Sequence, residues 1–394
     1  MKISVFSYVF YPETFLLNEL VKELSNEHDI TVYTGLPNYP LGEFFEGYSL
    51  KGPYRESLLG ASVVRYPHAP RKTGKLKLVI NYLTFTLSSI LNIFRLKKSD
   101  VAFVFASSPV LTMIPAILHK WRSGCKVVVW LQDIWPEAVV AVGGASKNSL
   151  SYKIISKLVR WMYSGVDVML VQSNKFDYNL DQHGFRGERI WVPNWAPEFE
   201  DSEVKMSLPD KKHFRVTFAG NIGRVQGLNT LIESAWELKD QPIEFLIVGD
   251  GSEKSVLEKQ AEGLDNVVFL GRRPLSEMPS LFEQSDALFV GLKDDELLNM
   301  VIPSKLQAYL TAKKPVVAML SGAGAELCQE MQSGPVVPPG DSKALAQALI
   351  DLSQESEAER AQMGERAYKT YLKHFQKKEV VKKITNILQD AVKS

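Results

Sequence analysis

Three glycines punctuate the segment from Gly220 to Gly227, and the segment also contains an arginine, Arg224. Glycines lack Cβ atoms, so backbone N–H groups in such a turn can approach a ligand closely. The planar guanidinium of Arg224 carries several donors and suits a phosphate or a diphosphate. The segment is therefore predicted to bind an anion. The alternative is an ordinary connection between two elements, with Arg224 solvated.

Two elements must hold this turn in place. Residues 216–219 form a short apolar run that ends at a glycine, which is typical of a buried strand. From Leu228 to Leu238 the apolar residues recur at helical spacing. An anion in the turn would then meet a helix N-terminus, where free N–H groups and the helix dipole favour negative charge.

A second polar group follows the apolar run at residues 126–131. Asp133, Trp135 and Glu137 come just after this predicted strand, in the position where parallel sheets bind ligands. In the alternative interpretation Asp133 caps the next helix, with Pro136 in its first turn. The two interpretations are compatible.

Strand and helix patterns alternate along both halves of the chain, which predicts parallel sheets covered by helices on both faces. At 394 residues the chain exceeds one ordinary core, so we expect two α/β domains, at residues 1–195 and 196–374. The loops around Pro12 and Asn38 should lie at the carboxyl edge of the first sheet. The charged run at 198–212 is the best linker candidate, and a basic amphipathic helix is expected at the end of the chain.

Composition narrows the protein class. Hydrophobic residues make up 45% and charged residues 23% of the chain, as in soluble globular proteins. The two cysteines, Cys125 and Cys328, are far apart, which favours neither a disulfide framework nor a zinc cluster. The first residues resemble a strand rather than a cleavable signal peptide, so a cytoplasmic location is expected.

Charge is distributed unevenly. The net charge is +7 over residues 1–195 and −6 over the remainder, and +11 falls within residues 51–126. Negatively charged partners are therefore expected to meet the first half. Nucleic acid is not expected, because no aromatic–basic motif of a known nucleic-acid reader is present.

Residues 78–94 contain no charged side chain. The run is short for a membrane span and is diluted by serine, threonine and asparagine. We instead predict a helix in the membrane interface, held by flanking cations and anionic lipid. The alternative is a core helix with solvated ends. The flanking cations are Arg71, Lys72, Lys75, Lys77, Arg95, Lys97 and Lys98.

Several short motifs are spread along the chain. They are Tyr11-Pro12-Glu13, GLPNYP at 35–40, QDIWPE at 132–137, VPNW at 192–195, AGNIGRVQG at 219–227, VGDG at 248–251, FLGR at 269–272 and IPSKL at 302–306. Taken together, these motifs resemble the retaining family-4 glycosyltransferases of the bacterial branch that builds O-antigen, capsule and colanic acid, in particular its L-fucosamine-transferase-like members. The resemblance runs nearly end to end and implies the GT-B fold, in which two Rossmann-like doubly wound domains face a cleft.

The resemblance implies that the second domain binds a nucleotide-sugar donor. One group should lie near the diphosphate, a second group below the nucleotide, and a third beside the base. The stretch 303–306 should present a second helix N-terminus to the phosphates. The residues near the diphosphate are Gly220, Asn221, Arg224 and Gln226, and those below the nucleotide are Gly249, Asp250 and Gly251. The residues beside the base are Arg272 and Leu275, and the second helix N-terminus contains Pro303, Ser304, Lys305 and Leu306.

The first domain should hold the acceptor, and the final helix, residues 375–394, should return to brace that domain. Arg224 and Lys305 are the candidates for stabilising charge on the departing diphosphate. Asp133 would orient the acceptor hydroxyl or steady the developing oxocarbenium-like centre. The expected acceptor-binding residues are Pro12, Glu13, Asn38, Trp135 and Glu137.

The chain departs from the family pattern at two places. A glutamate pair common in the family falls on Met300 and Ala308, and a frequent histidine falls on Gln132. Ribose and sugar contacts are then expected from Asp294, Asp295 or backbone groups. The aspartates could recruit magnesium, but the arginine–lysine pair serves the same electrostatic purpose. We therefore expect neither a metal nor another cofactor.

The resemblance implies a retaining transferase with a UDP-N-acetylhexosamine type of donor. Its acceptor would be a saccharide on an undecaprenyl-diphosphate type of lipid, at the cytoplasmic face of the inner membrane. A GT-B nucleotide-sugar epimerase and a non-catalytic donor-binding partner of another transferase are the alternatives. An NAD oxidoreductase fits less well, because no Gly-x-Gly-x-x-Gly motif opens the first strand–helix unit.

Overall fold

The computed structural model describes residues 1–141, 146–199 and 206–393. These residues divide into two compact units. The first unit comprises Met1–Pro193 and the residues from Val381 onward, and the second comprises Asn194–Val380. The charged run at 198–212, expected to be a linker, lies partly outside the described residues.

The first unit is built on a twisted sheet in which every neighbouring pair is parallel except the antiparallel pair β3–β4. The spatial order is β3-β4-β2-β1-β5-β6-β7-β8. The strands are β1 (Lys2–Ser7), β2 (Asp29–Gly35), β3 (Arg55–Leu58), β4 (Ala61–Tyr66), β5 (Val101–Ala106), β6 (Lys126–Leu131), β7 (Val168–Val171) and β8 (Glu188–Trp191).

Helices connect these strands and cover the sheet. The central strands are buried along their length, as in a sheet that is covered on both faces. The described helices are α1 (Leu16–Leu24), α2 (Lys75–Leu91), α3 (Met113–Ser123), α4 (Glu137–Ala141), α5 (Leu150–Ser164) and α6 (Phe176–Gln182).

The second unit repeats the architecture with an all-parallel sheet. The spatial order is β11-β10-β9-β12-β13-β14, so β9 lies in the interior. The strands are β9 (Phe214–Ala219), β10 (Ile243–Val248), β11 (Val267–Gly271), β12 (Ala287–Gly291), β13 (Val316–Met319) and β14 (Val336–Val337).

Helices also cover the second sheet, and the last helix reaches the first unit. Lys383 in that helix donates from Nζ to the Trp191 carbonyl at 2.7 Å, next to the edge strand β8. The helices are α7 (Leu228–Glu237), α8 (Lys254–Gln260), α9 (Met278–Glu283), α10 (Ser304–Tyr309), α11 (Gly322–Met331), α12 (Ser342–Gln354), α13 (Glu357–Thr370) and α14 (Lys377–Lys393).

The predicted fold class, two Rossmann-like α/β domains, is confirmed by these two sheets. Apolar runs predicted the parallel strands because strands buried on both faces are apolar throughout. The hairpin of β3 and β4 was not predicted. Its residues alternate in burial, and β3 is only partly covered, so it lacks a continuous apolar run.

The uncharged segment at 78–94 is less regular than predicted. The helix α2 begins at Lys75 and ends at Leu91, and a separate 3₁₀ turn spans Ile93–Arg95. Within the described residues, we find no helix that is both long enough and apolar enough to cross a bilayer.

Candidate functional site

The carboxyl edge of the second sheet contains a topological switch point. From β9 the chain moves outward to β10 and β11, then returns to place β12 on the other side of β9. Loops that leave β9 and β12 in opposite directions open a crevice at the strand ends, where open parallel sheets bind ligands. The glycine turn after β9 lies at this point.

Three glycines let the loops after β9 and β10 pack backbone against backbone. A Cβ on Gly249 would lie 1.8 Å from the Gly220 carbonyl oxygen, and one on Gly251 would lie 2.3 Å from that of Ile222. The Gly220 N–H also donates to the Val248 carbonyl at 2.9 Å. These positions therefore exclude any side chain, and the expected glycines shape the edge through their backbone.

Lys305, in the first turn of α10, crosses directly over Gly220. A Cβ on Gly220 would lie 2.1 Å from Lys305 Cε. The ammonium donates to Gln226 Oε1 at 2.8 Å and lies 5.2 Å from the centre of the Phe218 ring. The helix thus delivers a cation to the glycine turn, as the sequence predicted for these two segments.

The charge of Lys305 is not neutralised by the protein. In the part of the chain that the structure describes, no carboxylate forms an ion pair with it. Burial lowers the pKa of Lys305 to about 8. A half-buried cation without a counterion favours an anionic ligand, because the ligand would repay the cost of desolvation.

A buried tyrosine fixes α10 against β9. The Ala219 N–H donates to the Tyr309 hydroxyl oxygen at 2.8 Å, and the Tyr309 O–H donates to the Ala219 carbonyl at 3.1 Å. These bonds join the last residue of the strand to the last residue of the helix. Sequence reasoning assigned no role to Tyr309, because its spacing carries no sign of the bonds that its hydroxyl makes.

The other residues expected to bind the nucleotide-sugar donor differ in whether their side chains are exposed to solvent. Arg224 starts a 3₁₀ turn that ends at Gln226, and its side chain is exposed. Leu306 is fully buried, so only its backbone can face a ligand. Pro303 is the N-cap of α10. Side chains exposed on the loops of this edge are Asn221, Asp250, Arg272, Leu275 and Ser304.

Asp294 and Asp295 accept hydrogen bonds from residues of their own loop. Asp294 Oδ1 accepts from Asn299 Nδ2 at 2.7 Å. Asp295 Oδ1 accepts from the N–H groups of Leu297 and Leu298 at 2.9 and 3.2 Å. Among the described residues no group of three or more metal-ligating side chains is close enough to hold an ion.

In the first unit, Asp133 is held by the loop after β5. Its Oδ2 accepts from the Ser108 N–H at 2.6 Å, and Trp135 Nε1 donates to Ser108 Oγ at 3.0 Å. The carboxylate therefore bonds across to the neighbouring loop rather than to the first turn of α4, contrary to the helix-cap interpretation. Because Ser108 and Asp133 follow adjacent strands, Asp133 lies at the carboxyl edge of this sheet.

Glu13 was expected to bind the acceptor, but its side chain is buried inside its loop. Its carboxylate accepts N–H bonds from Phe10, Asn38 and Tyr39 at 3.1, 2.8 and 2.7 Å. Burial raises the pKa of Glu13, although the three N–H groups oppose that rise. The structure thus gives Glu13 the role of a positioning residue for the loops at 10–13 and 36–40.

Asn38 and Glu137 are also occupied by protein groups. Asn38 is buried and donates from Nδ2 to the Tyr8 hydroxyl oxygen at 3.1 Å. Glu137 accepts from Asn179 Nδ2 at 2.6 Å and contacts His183 Nε2 at 3.5 Å. Burial opposes ionisation of Glu137, but its hydrogen bonds, led by that of His183, leave its pKa below the ordinary value.

One partly exposed cation at this edge, Arg71, was not assigned to the site by sequence reasoning. The Arg71 guanidinium lies 5.0 Å from the centre of the Tyr39 ring. The backbone N–H of Arg71 donates to Asn38 Oδ1 at 2.9 Å, so the chain at Arg71 is joined to the loop after β2. Pro12 is partly exposed beside the exposed Tyr11, whereas Trp135 is buried. The sequence showed Arg71 only as a helix flank.

Two family models match the chain. Residues 16–195 match the glycosyl transferase 4-like domain, and residues 213–355 match the glycosyl transferases group 1. The two matches correspond to the two sheets, and together they cover most of the chain.

Individual proteins are similar over nearly the same span. WcaI of Escherichia coli (strain K12), named as a colanic acid biosynthesis glycosyl transferase, is 28% identical over 78% of this chain and 80% of its own. The amylovoran biosynthesis glycosyltransferase AmsK of Erwinia amylovora is 24% identical over 90% of this chain and 91% of its own.

The fold is also similar to that of solved structures. HepE of Anabaena, solved in complex with UDP and glucose, has a TM-score of 0.63 at 17% identity. The alignment covers 99% of this chain and 100% of HepE. At this identity the likeness concerns the fold alone.

Proposed function

Because the chain belongs to the family-4 GT-B glycosyltransferases of bacterial surface-polysaccharide synthesis, we propose a specific reaction for it. It is a retaining transferase that takes a sugar from a nucleotide donor of the UDP-N-acetylhexosamine type. Its acceptor is a saccharide linked to a lipid diphosphate of the undecaprenyl type. HepE, which has a similar fold, was solved with UDP, and this supports UDP as the donor nucleotide.

The observation that carries the proposal is the uncompensated ammonium of Lys305 above Gly220. It lies at the switch point of the second sheet, beside the turn that begins with Arg224. Two cations and a glycine-lined backbone match a pyrophosphate in charge and in shape. The other donor-contact residues are assigned because they belong to the same edge of the sheet, and these assignments stay predictions.

In the proposed step the bond between the sugar anomeric carbon and the phosphate oxygen breaks. The acceptor oxygen bonds to the same face of that carbon, and the departing phosphate oxygen takes the acceptor's proton. Arg224 and Lys305 stabilise the negative charge that grows on the diphosphate. Asp133, held by Ser108, orients the acceptor hydroxyl or steadies positive charge at the anomeric carbon. No metal or cofactor is required.

The acceptor proposal rests on the first unit, whose residues 51–126 carry a net charge of +11. Arg71 is fixed beside Tyr39 at the carboxyl edge, where a lipid diphosphate would be attracted. We place the enzyme at the cytoplasmic face of the inner membrane, with α2 in the interface.

The direct test is product formation from a panel of nucleotide-sugars with a short-chain polyprenyl-diphosphate saccharide. NMR of the new linkage should show the donor's anomeric configuration. Arg224→Ala and Lys305→Ala should abolish transfer. Lys314→Ala is the matched control, since Lys314 is a half-buried lysine whose ammonium donates to the Glu283 backbone carbonyl at 2.9 Å, at the opposite end of the sheet.

Other products would contradict the proposal. An isomer formed from the donor without acceptor would identify an epimerase. Donor binding without turnover under any condition would identify a non-catalytic partner. Inversion of the anomeric centre would exclude the retaining step while leaving the transferase assignment intact.

A further inference from the structure

The helix α2 presents its apolar side to solvent. The exposed side chains follow one stripe with spacings of three and four residues, and their exposed fractions lie between 43% and 73%. Phe94, just after the helix, continues the stripe and is 80% exposed. We call these residues the α2 stripe: Leu76, Val79, Ile80, Leu83, Leu87, Leu91 and Phe94.

Three uncharged polar residues of α2 point inward instead, on the side of the buried rings of Tyr82 and Phe85, and are satisfied there. Asn81 accepts from the buried Tyr8 O–H at 2.7 Å and donates to the Ala69 carbonyl at 2.6 Å. Thr86 and Ser89 are also buried, and their hydroxyls donate to carbonyls of the helix itself. Rotating the helix would break the Asn81 bonds, so the stripe is not available to the core of its own unit.

Two neighbouring helices add further exposed apolar side chains. The helix α3 packs against both α2 and α5. Trp121 of α3 and Trp161 of α5 meet edge to face, with ring centres 6.2 Å apart, and both are exposed. Leu150 and Ile154, three and two turns before Trp161 in α5, are exposed as well. Tryptophan favours the membrane–water interface, since its ring is apolar and its N–H is polar.

All charged side chains of α2, α3 and α5 are positive. They contain seven lysines and arginines and neither aspartate nor glutamate. Lys75 and Lys77 lie in the first turns of α2, where cations are unfavourable for the helix dipole, so helix stability does not explain them. The remaining cations are Arg122, Lys153, Lys157 and Arg160, together with Lys120, whose ammonium pairs with the Asp167 carboxylate at 2.7 Å and is not counted toward lipid binding.

We infer that α2, α3 and α5 together form one docking face for an anionic phospholipid bilayer. The α2 stripe enters the acyl boundary, the tryptophan pair lies at the interface, and the cations meet lipid phosphates. The inference rests on the proposed function, because a lipid-linked acceptor requires the enzyme to work at a bilayer. A second copy of the chain is the poorer occupant, since two such faces would repel each other.

Co-sedimentation of the full chain with vesicles tests the charge requirement. Vesicles of phosphatidylcholine with phosphatidylglycerol should bind the protein, and vesicles of phosphatidylcholine alone should bind it weakly. Lys153→Glu/Lys157→Glu should lower partitioning roughly 100-fold. The control Lys239→Glu/Lys259→Glu, on exposed lysines of the second unit, should change it little. If both double variants lowered partitioning equally, the effect would depend on net charge alone, and the inference would be overturned.

The apolar requirement has its own variants. Leu83→Gln/Leu87→Gln should weaken partitioning by about 10-fold or more, because two leucines no longer leave water. Quenching by phospholipids brominated in the acyl chains should report the tryptophans directly. Trp121→Phe/Trp161→Phe should lose most of the quenching, whereas Trp236→Phe, an exposed tryptophan of the second unit, should keep it. Quenching that persists in the double variant would contradict the inference.

Transfer to a short-chain acceptor without vesicles separates this inference from the proposed function. The docking-face variants should retain that activity. Intact transfer together with unchanged vesicle binding in every variant would overturn the docking face alone. Vesicle binding without transfer would overturn the proposed reaction alone. A dimer in ultracentrifugation that Leu83→Gln/Leu87→Gln dissociates would assign the face to a second copy instead.

Discussion

Lys305 makes donor binding sensitive to pH. Burial lowers its pKa to about 8 in the free protein, and only the protonated form attracts a diphosphate. Affinity for UDP should therefore be highest below pH 8 and should fall as pH rises through that value. Titration calorimetry on both sides of pH 8 measures this change.

The variant Lys305→Arg provides the control, because arginine stays protonated over the same range. Its UDP affinity should vary much less with pH. A wild-type profile parallel to that of Lys305→Arg would show that another group causes the dependence.

Gly220 also has a specific steric role. In Gly220→Ala the new Cβ would lie 2.1 Å from Lys305 Cε, so the lysine must leave its position. We expect at least about 10-fold weaker UDP binding, since a hydrogen bond to a charged group is worth roughly 1.5–3 kcal/mol. Calorimetry of the folded variant measures the loss.

Gly271 offers a matched comparison at the same edge of the sheet. It also has a positive φ, of 66°, but nothing lies within 4 Å of its Cβ position. Gly271→Ala should cost about 1 kcal/mol of stability from its backbone conformation and should leave UDP affinity nearly unchanged. Similar losses in both variants would mean that the lysine contact is unimportant.

At the scale of elements, Glu13 joins two loops of the first sheet. It accepts three backbone N–H bonds, and a glutamine would turn an NH₂ group toward at least one of those donors. Glu13→Gln should therefore reduce the free energy of unfolding by about 1–3 kcal/mol. The acceptor KM should rise while the UDP Kd stays the same, because the loops belong to the first unit.

Thermal unfolding measures the loss of stability, and the acceptor KM and the UDP Kd are measured separately. Glu43→Gln, an exposed carboxylate in the loop that follows, should change neither. A lower acceptor kcat with an unchanged KM would instead place Glu13 in the chemical step.

At the scale of the whole molecule, the two units should respond differently to the donor nucleotide. UDP at 100 times its Kd should stabilise the native state by about 2.7 kcal/mol. Protection from hydrogen exchange should concentrate at the edge of the second sheet, at residues 219–227 and 303–309. Exchange mass spectrometry with and without UDP measures it. Protection confined to the loops at 10–13 and 36–40 would reverse the donor and acceptor assignments.

Much of the fold was predictable because its signals are local. Strands buried on both faces are apolar runs, and most of them end at a glycine or a polar loop that can be read directly. The glycine turn at 220–227 and Lys305 were identified in the same way, by residue type and by family resemblance. The two-domain α/β architecture follows from the alternation of strands and helices together with the length of the chain.

Tertiary structure decided which polar residues are available to ligands. Glu13 and Glu137 look like free carboxylates in the sequence, yet their partners Asn38 and Asn179 lie 25 and 42 residues away. The apolar side of α2 likewise turned outward, because Tyr8 and Ala69 hold Asn81 from within. Sequence periodicity shows that a helix has two different sides. Only long-range hydrogen bonds and packing determine which side the rest of the chain covers.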